Sequence, residues 1–186
     1  MNGWQDDAAW TGRFMPEVKR ILGEHLISDA PAYEDQRRNT DLMIGDRELV
    51  LAAIRVGVRI RDHEFLIRYP NDYTIRTNRL RSGNETELAK IIRGYGDYFF
   101  YGIAGVDEST LGCWVIIDLA EWRLWFMHWL AGHQGELPGP VIRNADGSSA
   151  FMPLGIDELP TEAIRARVKA EPMPSYAASD FDEMPF

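Results

Sequence analysis

Apolar and polar residues follow two different periods along the first third of the chain. From Ile54 to Ile60 the even positions are apolar and alternate with Arg55, Gly57, Arg59 and Arg61. A period of two is typical of a strand with one buried face, so the run from Leu49 to Ile60 predicts a strand with an arginine face. Residues 16–27 instead place apolar side chains three and four apart, which predicts a short amphipathic helix.

The remaining apolar runs complete a mixed order of elements. Further strands are predicted at residues 41–44, 65–68, 73–77, 97–103, 113–118 and 150–156. Further helices are predicted from the turn at 82–84 to Arg93, at 120–131 and at 161–170. This order predicts an α+β (mixed α/β) domain, with a single sheet flanked by helices.

The chain divides by composition into a body and a tail. Its 186 residues suit one domain with its own core, and we assign residues 1–160 to this α/β body. Residues 161–186 form the tail, which begins with a short helix capped by Thr161. From Glu171 onward three prolines, small residues and acids leave nothing to bury, so we expect this acidic stretch to be disordered.

The charge pattern points to a basic middle segment, residues 37–93. The whole chain carries a net charge of −9, but this segment holds twelve basic and eight acidic side chains, and eleven of the twelve are Arg. Arg suits bidentate contacts with phosphate or carboxylate, so these side chains either bind DNA or pair with nearby acids. The candidate DNA-binding residues are Arg55, Arg59, Arg61, Arg76, Arg79 and Arg81.

Cysteine usage and hydropathy favour a soluble protein of a reducing cytoplasm. Cys113 is the only cysteine, which excludes an internal disulfide framework. No apolar run approaches the roughly 18 residues of a membrane span, and the acidic start does not match a secretory signal. We therefore expect no membrane association.

The last seven residues combine acids, two aromatic rings and a proline. They are Asp180, Phe181, Asp182, Glu183, Met184, Pro185 and Phe186. Phe186 offers an apolar ring beside the final carboxylate. An apolar pocket with an Arg at its rim can bind both groups. The acids would steer this peptide to a basic surface, and its affinity would be on the order of micromolar. The alternative is an ordinary solubilising acidic tail.

This seven-residue tip resembles the acidic C-terminal tip of bacterial single-stranded DNA-binding proteins. That family ends in Asp-Phe-Asp, further acids, an aliphatic residue, Pro and Phe, an order that residues 180–186 follow with one acid fewer than usual. The resemblance implies docking to bacterial replication and repair proteins, in the cytoplasm of a bacterial host cell. It covers the tip only, because the body lacks the pattern of that family's barrel.

The body resembles phage-encoded proteins of the PD-(D/E)xK nuclease-like class. The matching stretches run from Glu34 through Asp41 to Met43, from Tyr73 to Thr77 and from Glu85 to Gly102. The resemblance implies a restriction-endonuclease-like fold in which acids on adjacent strands hold Mg²⁺ beside a lysine. The residues that it implies are Glu34, Asp41, Asp72 and Lys90 for catalysis, with Asp41 and Asp72 as metal ligands.

One part of the class motif is absent. The class expects Glu or Gln, one residue and then Lys on a strand, where this chain carries Arg59-Ile-Arg61 and Thr74-Ile-Arg76. Arg is too basic to activate water. Either Lys90 supplies the function, or the body binds DNA without cutting it and needs no Mg²⁺.

Three hypotheses from different classes follow. The first is a phage-type DNA-metabolism protein with a nuclease-like body and a tip that recruits replication and repair proteins. The second is a non-enzymatic protein that binds single-stranded DNA. The third is an inhibitor or adaptor whose tip occupies the binding pocket of a host repair protein.

Overall fold

A computed structural model describes residues 3–23, 27–29, 42–44, 54–69, 71–79 and 85–170. Five helices lie in this part of the chain: α1 (Gly3–Gly12), α2 (Met15–Leu22), α3 (Glu64–Arg68), α4 (Glu87–Ile92) and α5 (Leu119–Gly132). The first five strands are β1 (Ile27–Asp29), β2 (Leu42–Ile44), β3 (Ile54–Arg61), β4 (Asp72–Arg79) and β5 (Tyr98–Ala104). The others are β6 (Leu111–Asp118), β7 (Ile142–Arg143), β8 (Ser149–Gly155) and β9 (Ile164–Val168).

The main sheet has the strand order β1-β2-β3-β5-β6-β9. Only β3 and β5 pair in parallel, from Val56 opposite Tyr98 to Arg61 opposite Ile103. The other described pairs of this sheet are antiparallel. Because a parallel pair needs a long connection, the chain between β3 and β5 has room for α3, β4 and α4.

The second sheet has the order β4-β8-β7 and packs on one face of the main sheet. Tyr73 and Ile75 of β4 share a core with Phe99 of β5. The buried Trp122 of α5 donates its indole N–H to the hydroxyl of Tyr73 across 2.7 Å, which joins α5 to the second sheet. The opposite face of the main sheet is covered by the segment around α2, through Phe14 and Val18.

The two faces of β3 therefore meet different surroundings. Val56 and Ile60 are buried in the core beneath α2. Arg59 and Arg61 point to the other face and hydrogen-bond with Thr74 of β4. The predicted strand with an arginine face is confirmed in the described residues from Ile54 onward.

Most of the predicted elements are confirmed, with boundaries shifted by a few residues. Strands β4, β5, β6 and β8 and helices α4 and α5 lie where the apolar periods place them. Thr86 caps α4 by accepting the Ala89 N–H, and Asp118 caps α5 by accepting the N–H groups of Ala120 and Glu121. These caps satisfy groups that a helix leaves unpaired at its start.

Four predictions about local structure were wrong. The structure has two sheets rather than one. Residues 65–68 lie in a helix, α3, because a four-residue apolar run cannot distinguish the two elements. The helix predicted at 16–27 ends at Leu22, where Gly23 adopts a φ of 99°, and Ile27 belongs to a strand.

The fourth error concerns residues 161–170, which were assigned to a helix. Only Thr161–Ala163 form a single 3₁₀ turn, and Thr161 makes no side-chain cap. Residues 164–168 form β9, which pairs with β6. The chain therefore remains in the main sheet beyond residue 160, and the predicted disordered stretch from Glu171 lies outside the described residues.

Candidate nucleic-acid interface

The first arginine of β3, Arg55, has a structural partner. Its backbone N–H and its Nε–H both donate to Oδ2 of Asp97, at 2.8 and 3.3 Å. Asp97 immediately precedes β5, so this pair ties the beginnings of the two parallel strands together. Arg55 thus pairs with a local acid, as one of the two interpretations of the basic middle segment expects.

Arg59 also has a carboxylate partner, and this pair is buried. Its guanidinium donates to Oε1 of Glu87 across 2.8 Å, and the two side chains are 13% and 5% exposed. The other oxygen of Glu87 accepts the backbone N–H of Arg76 at 2.9 Å. Glu87 therefore joins α4 to β3 and β4.

Arg61 differs from both, because no carboxylate pairs with it in the part of the chain that the structure describes. One guanidinium nitrogen donates to the hydroxyl of Thr74 at 2.8 Å, and the group lies 5.0 Å above the ring of Phe65. Its Nε is shielded from solvent and has no hydrogen-bond partner. Burial lowers the pKa of Arg61, and the neighbouring charge of Arg59 lowers it further.

Tyr101 of β5 borders the same polar group. Its side chain is buried, and its hydroxyl lies near Arg61 and Thr74. Burial raises the pKa of Tyr101, and the positive charge of Arg61 opposes that rise. The hydroxyl therefore stays protonated and adds no negative charge beside Arg61, whose cationic form is favoured by the charge of Glu87.

Arg59 and Arg61 border a cleft of about 390 Å³, here named the arginine cleft. Its apolar lining residues are Trp10 of α1 with Val58 and Ile60 of β3. Its cationic lining residues are Arg59, Arg61 and Arg76. Thr11 and Asp62 also line it.

The arginine cleft crosses β3 from one face of the main sheet to the other. Trp10 packs against Phe14, at 5.0 Å between ring centroids, on the face covered by α2. Arg76 belongs to β4 on the opposite side. An aromatic ring and guanidinium groups in one cleft suit a ligand with a flat ring and an anionic group.

The two predicted catalytic residues that the structure describes lie away from this cleft. Neither Asp72 nor Lys90, the two that the structure describes, lines it. Lys90 is buried in α4, and Asp72 begins β4 opposite Gly155. Glu34 and Asp41 lie outside the described residues.

Asp72 has a second carboxylate nearby. The side chain of Glu158 lies over Gly155, the residue paired with Asp72. Partial burial raises the pKa of Asp72, and the negative charge of Glu158 raises it further. Within the described ranges, no three or more His, Cys, Asp and Glu side chains are grouped to hold a metal ion. The Mg²⁺ site predicted at Asp41 and Asp72 therefore stays a prediction.

Other predicted residues fall partly or wholly outside the described part of the chain. Arg79 ends β4, and its side chain is not described. Arg81 and the docking tip, residues 180–186, are outside the described residues. The DNA-binding prediction therefore rests on Arg59, Arg61 and Arg76.

The sequence interpretation missed several residues that shape the cleft. Trp10 and Thr11 were missed because α1 has no clear apolar stripe and was not predicted. Glu87 was assigned only to the start of a helix, although it also binds Arg59 from 28 positions away. Asp62 directly follows the strand with the arginine face, and this position in the sequence was a signal that it lies near the arginine side chains.

Comparisons with protein-family models, with curated proteins and with solved structures found no match for this chain. Among the described helices, none is both long and apolar enough to cross a membrane.

Proposed function

We propose that the protein binds single-stranded DNA through the arginine cleft. We also propose that it serves DNA replication or repair in the cytoplasm of a bacterial host cell. The observation that carries this proposal is Arg61, a partly buried cation that lines the cleft without a carboxylate partner among the described residues. Charged groups away from water are ordinarily paired, so an unpaired guanidinium in a cleft is suited to an anionic ligand.

The aromatic ring in the same cleft supports a nucleotide as that ligand. Stacking of bases on aromatic rings and a cationic groove for the backbone together are typical of single-strand binding. Here Trp10 provides the ring, while Arg59, Arg61 and Arg76 provide the cations. Arg59 is already neutralised by Glu87, so we assign the principal phosphate contact to Arg61.

The size of the cleft supports a single strand rather than a duplex. Its volume of about 390 Å³ is in the range of pockets that enclose one small ligand. A rigid duplex keeps its bases stacked inside and presents only phosphates to a narrow cleft. An unstacked nucleotide of a single strand leaves both its base and its phosphate free for contact with the protein.

Arg61→Met tests the DNA contact. We expect this variant to bind a mixed-sequence single strand of about 20 nucleotides at least tenfold more weakly, in fluorescence anisotropy. Arg143→Met is the matched control, because Arg143 is exposed on β7 and does not line the cleft. Thermal unfolding of both variants shows whether each is folded.

Two further outcomes of that measurement decide between the hypotheses. Equal affinity for both variants would remove the arginine cleft as the binding site. Cleavage of the strand on addition of Mg²⁺ would favour the nuclease-like hypothesis over binding alone.

We further propose that residues 180–186 recruit a replication or repair protein. The support is the sequence alone, in which acids, two Phe and a Pro combine steering charge with apolar anchors. Phe186→Ala should abolish capture of such a protein from bacterial lysate, whereas the tail control Tyr176→Ala should not. Capture of the same proteins by both variants would indicate that residues 180–186 form only a solubilising tail.

A further inference from the structure

One acidic side chain lies among the cations that line the arginine cleft. Asp62 follows β3 directly, next to Arg61, and lines the cleft with it. No ion pair holds Asp62 within the described residues. One of its oxygens accepts the backbone N–H of Glu64 at 3.1 Å, which helps to start α3.

That single bond leaves most of the acceptor capacity of Asp62 unused. An ionised carboxylate accepts about four hydrogen bonds at its two oxygens. A site built for phosphate alone gains nothing from a carboxylate, since like charges repel. Asp62 therefore suits a part of the ligand that donates hydrogen bonds rather than the phosphate.

Among the DNA bases, guanine matches a carboxylate best. Its Watson–Crick edge carries two neighbouring N–H donors, the ring N1–H and the exocyclic amino group, which a carboxylate can bind in bidentate fashion. Adenine, cytosine and thymine each have a single donor position on that edge, beside at least one acceptor. The edge is free only in a single strand, where proteins read it directly.

We propose that Asp62 gives the arginine cleft a preference for guanine. This inference rests on the proposed function, since it assumes that the cleft holds one nucleotide of a single strand. The guanine ring packs against Trp10, its phosphate lies at Arg61, and its N1–H and amino group donate to Asp62. Asp62 is thus a specificity residue of the same site.

The test uses the full chain and thymidine oligomers of about twelve nucleotides that differ only in the central base. We expect a central guanine to bind about tenfold more tightly than a central adenine, because a bidentate base contact discriminates by roughly that factor. Hypoxanthine keeps N1–H but lacks the amino group, so it should fall between them. Anisotropy competition measures all three.

Asp62→Asn supplies the matched variant. The amide oxygen can still accept the Glu64 N–H, so α3 keeps its start, but the amide cannot accept two donors side by side. The variant should lose the difference between guanine and hypoxanthine while keeping its affinity for unsubstituted thymidine oligomers. Asp107→Asn, on the loop between β5 and β6, is the control and should keep the guanine preference.

The outcomes separate the two proposals. Equal binding of all central bases by the unchanged protein would overturn the guanine preference and leave single-strand binding in place. An unchanged preference in Asp62→Asn would also overturn the assignment to Asp62. Failure of every oligomer to bind would overturn the proposed function together with this inference.

Discussion

Strands β3 and β9 both alternate arginine with other residues, but their arginines have different partners. On β9, Arg165 donates to Oδ2 of Asp118 at 2.6 Å, and Arg167 donates to Asp157 at 2.6 Å. On β3, Arg59 has Glu87, whereas Arg61 hydrogen-bonds with the hydroxyl of Thr74 and has no carboxylate partner among the described residues. Each arginine of β9 has a carboxylate partner.

This difference shows why an arginine pattern alone does not identify a binding site. Each pair of β9 already joins opposite charges and has at least one exposed partner, so these pairs need no functional explanation. A partly buried cation without a carboxylate costs stability. Such a cost is typical of functional sites, where a ligand supplies the missing charge.

The largest effect should follow from removing the buried partner on β3. Glu87→Ala leaves Arg59 and the backbone N–H of Arg76 without their acceptor. Breaking a buried pair from one side costs about 3–5 kcal/mol, so we expect the free energy of unfolding in urea to fall by that amount.

Glu87→Gln is the control for this loss. It keeps one oxygen as the acceptor for the N–H of Arg76, while its amino group replaces the oxygen that accepts from Arg59, so it should be less destabilising than Glu87→Ala. Equal stability of Glu87→Ala and the unchanged protein would show that the pair does not hold α4 to β3.

The next largest effect should follow from removing Asp118, the carboxylate partner of Arg165 on β9. Asp118→Ala removes both the cap of α5 and the partner of Arg165. Loss of an N-cap costs roughly 1–2 kcal/mol, which we expect as a fall in the free energy of unfolding. Arg165→Ala should cost less than Asp118→Ala, because the side chain of Arg165 is largely exposed and Asp118 keeps the N–H groups of Ala120 and Glu121 as donors. A large loss in Arg165→Ala would contradict the contrast between the two strands.

Removing Arg61, which has no carboxylate partner among the described residues, should change stability in the opposite direction. Arg61→Met replaces a partly buried charge with a shorter, unbranched apolar side chain. We expect a gain on the order of 1 kcal/mol in the free energy of unfolding, although DNA binding is lost. Arg59→Met should instead lower the free energy of unfolding, because it leaves the buried carboxylate of Glu87 without its partner. Destabilisation by both variants would show that Arg61 is structural.

The sequence predicted the arginine face but could not separate its members. The alternation at Ile54–Arg61 is local, so a period of two suffices to predict the strand. The partners that decide the role of each side chain are distant, with Asp97 42 positions from Arg55 and Glu87 28 from Arg59. Only the folded chain shows which of these arginines has no carboxylate partner among the described residues.

The second sheet and the cleft escaped prediction for a similar reason. Whether β4 pairs with β8 or joins the main sheet depends on contacts across some 75 residues, which local periods do not encode. Strand β9 was missed although residues 164–168 alternate, because the preceding Thr161 resembles a helix cap. Glu34, Asp41 and the tip remain predictions from sequence.

The smallest effect lies at the exposed pair of β9. The hydrogen bond from Arg167 holds the pKa of Asp157 below its ordinary value, and the charge of Lys169 adds to this. A lowered pKa in the folded state contributes stability above the ordinary value, which is lost as the pH falls. Arg167→Ala should raise the pKa of Asp157 in an NMR titration, and Lys169→Ala should raise it less. An unchanged pKa in Arg167→Ala would show that the pair does not persist in solution, and the contrast with Arg61 would then rest on burial alone.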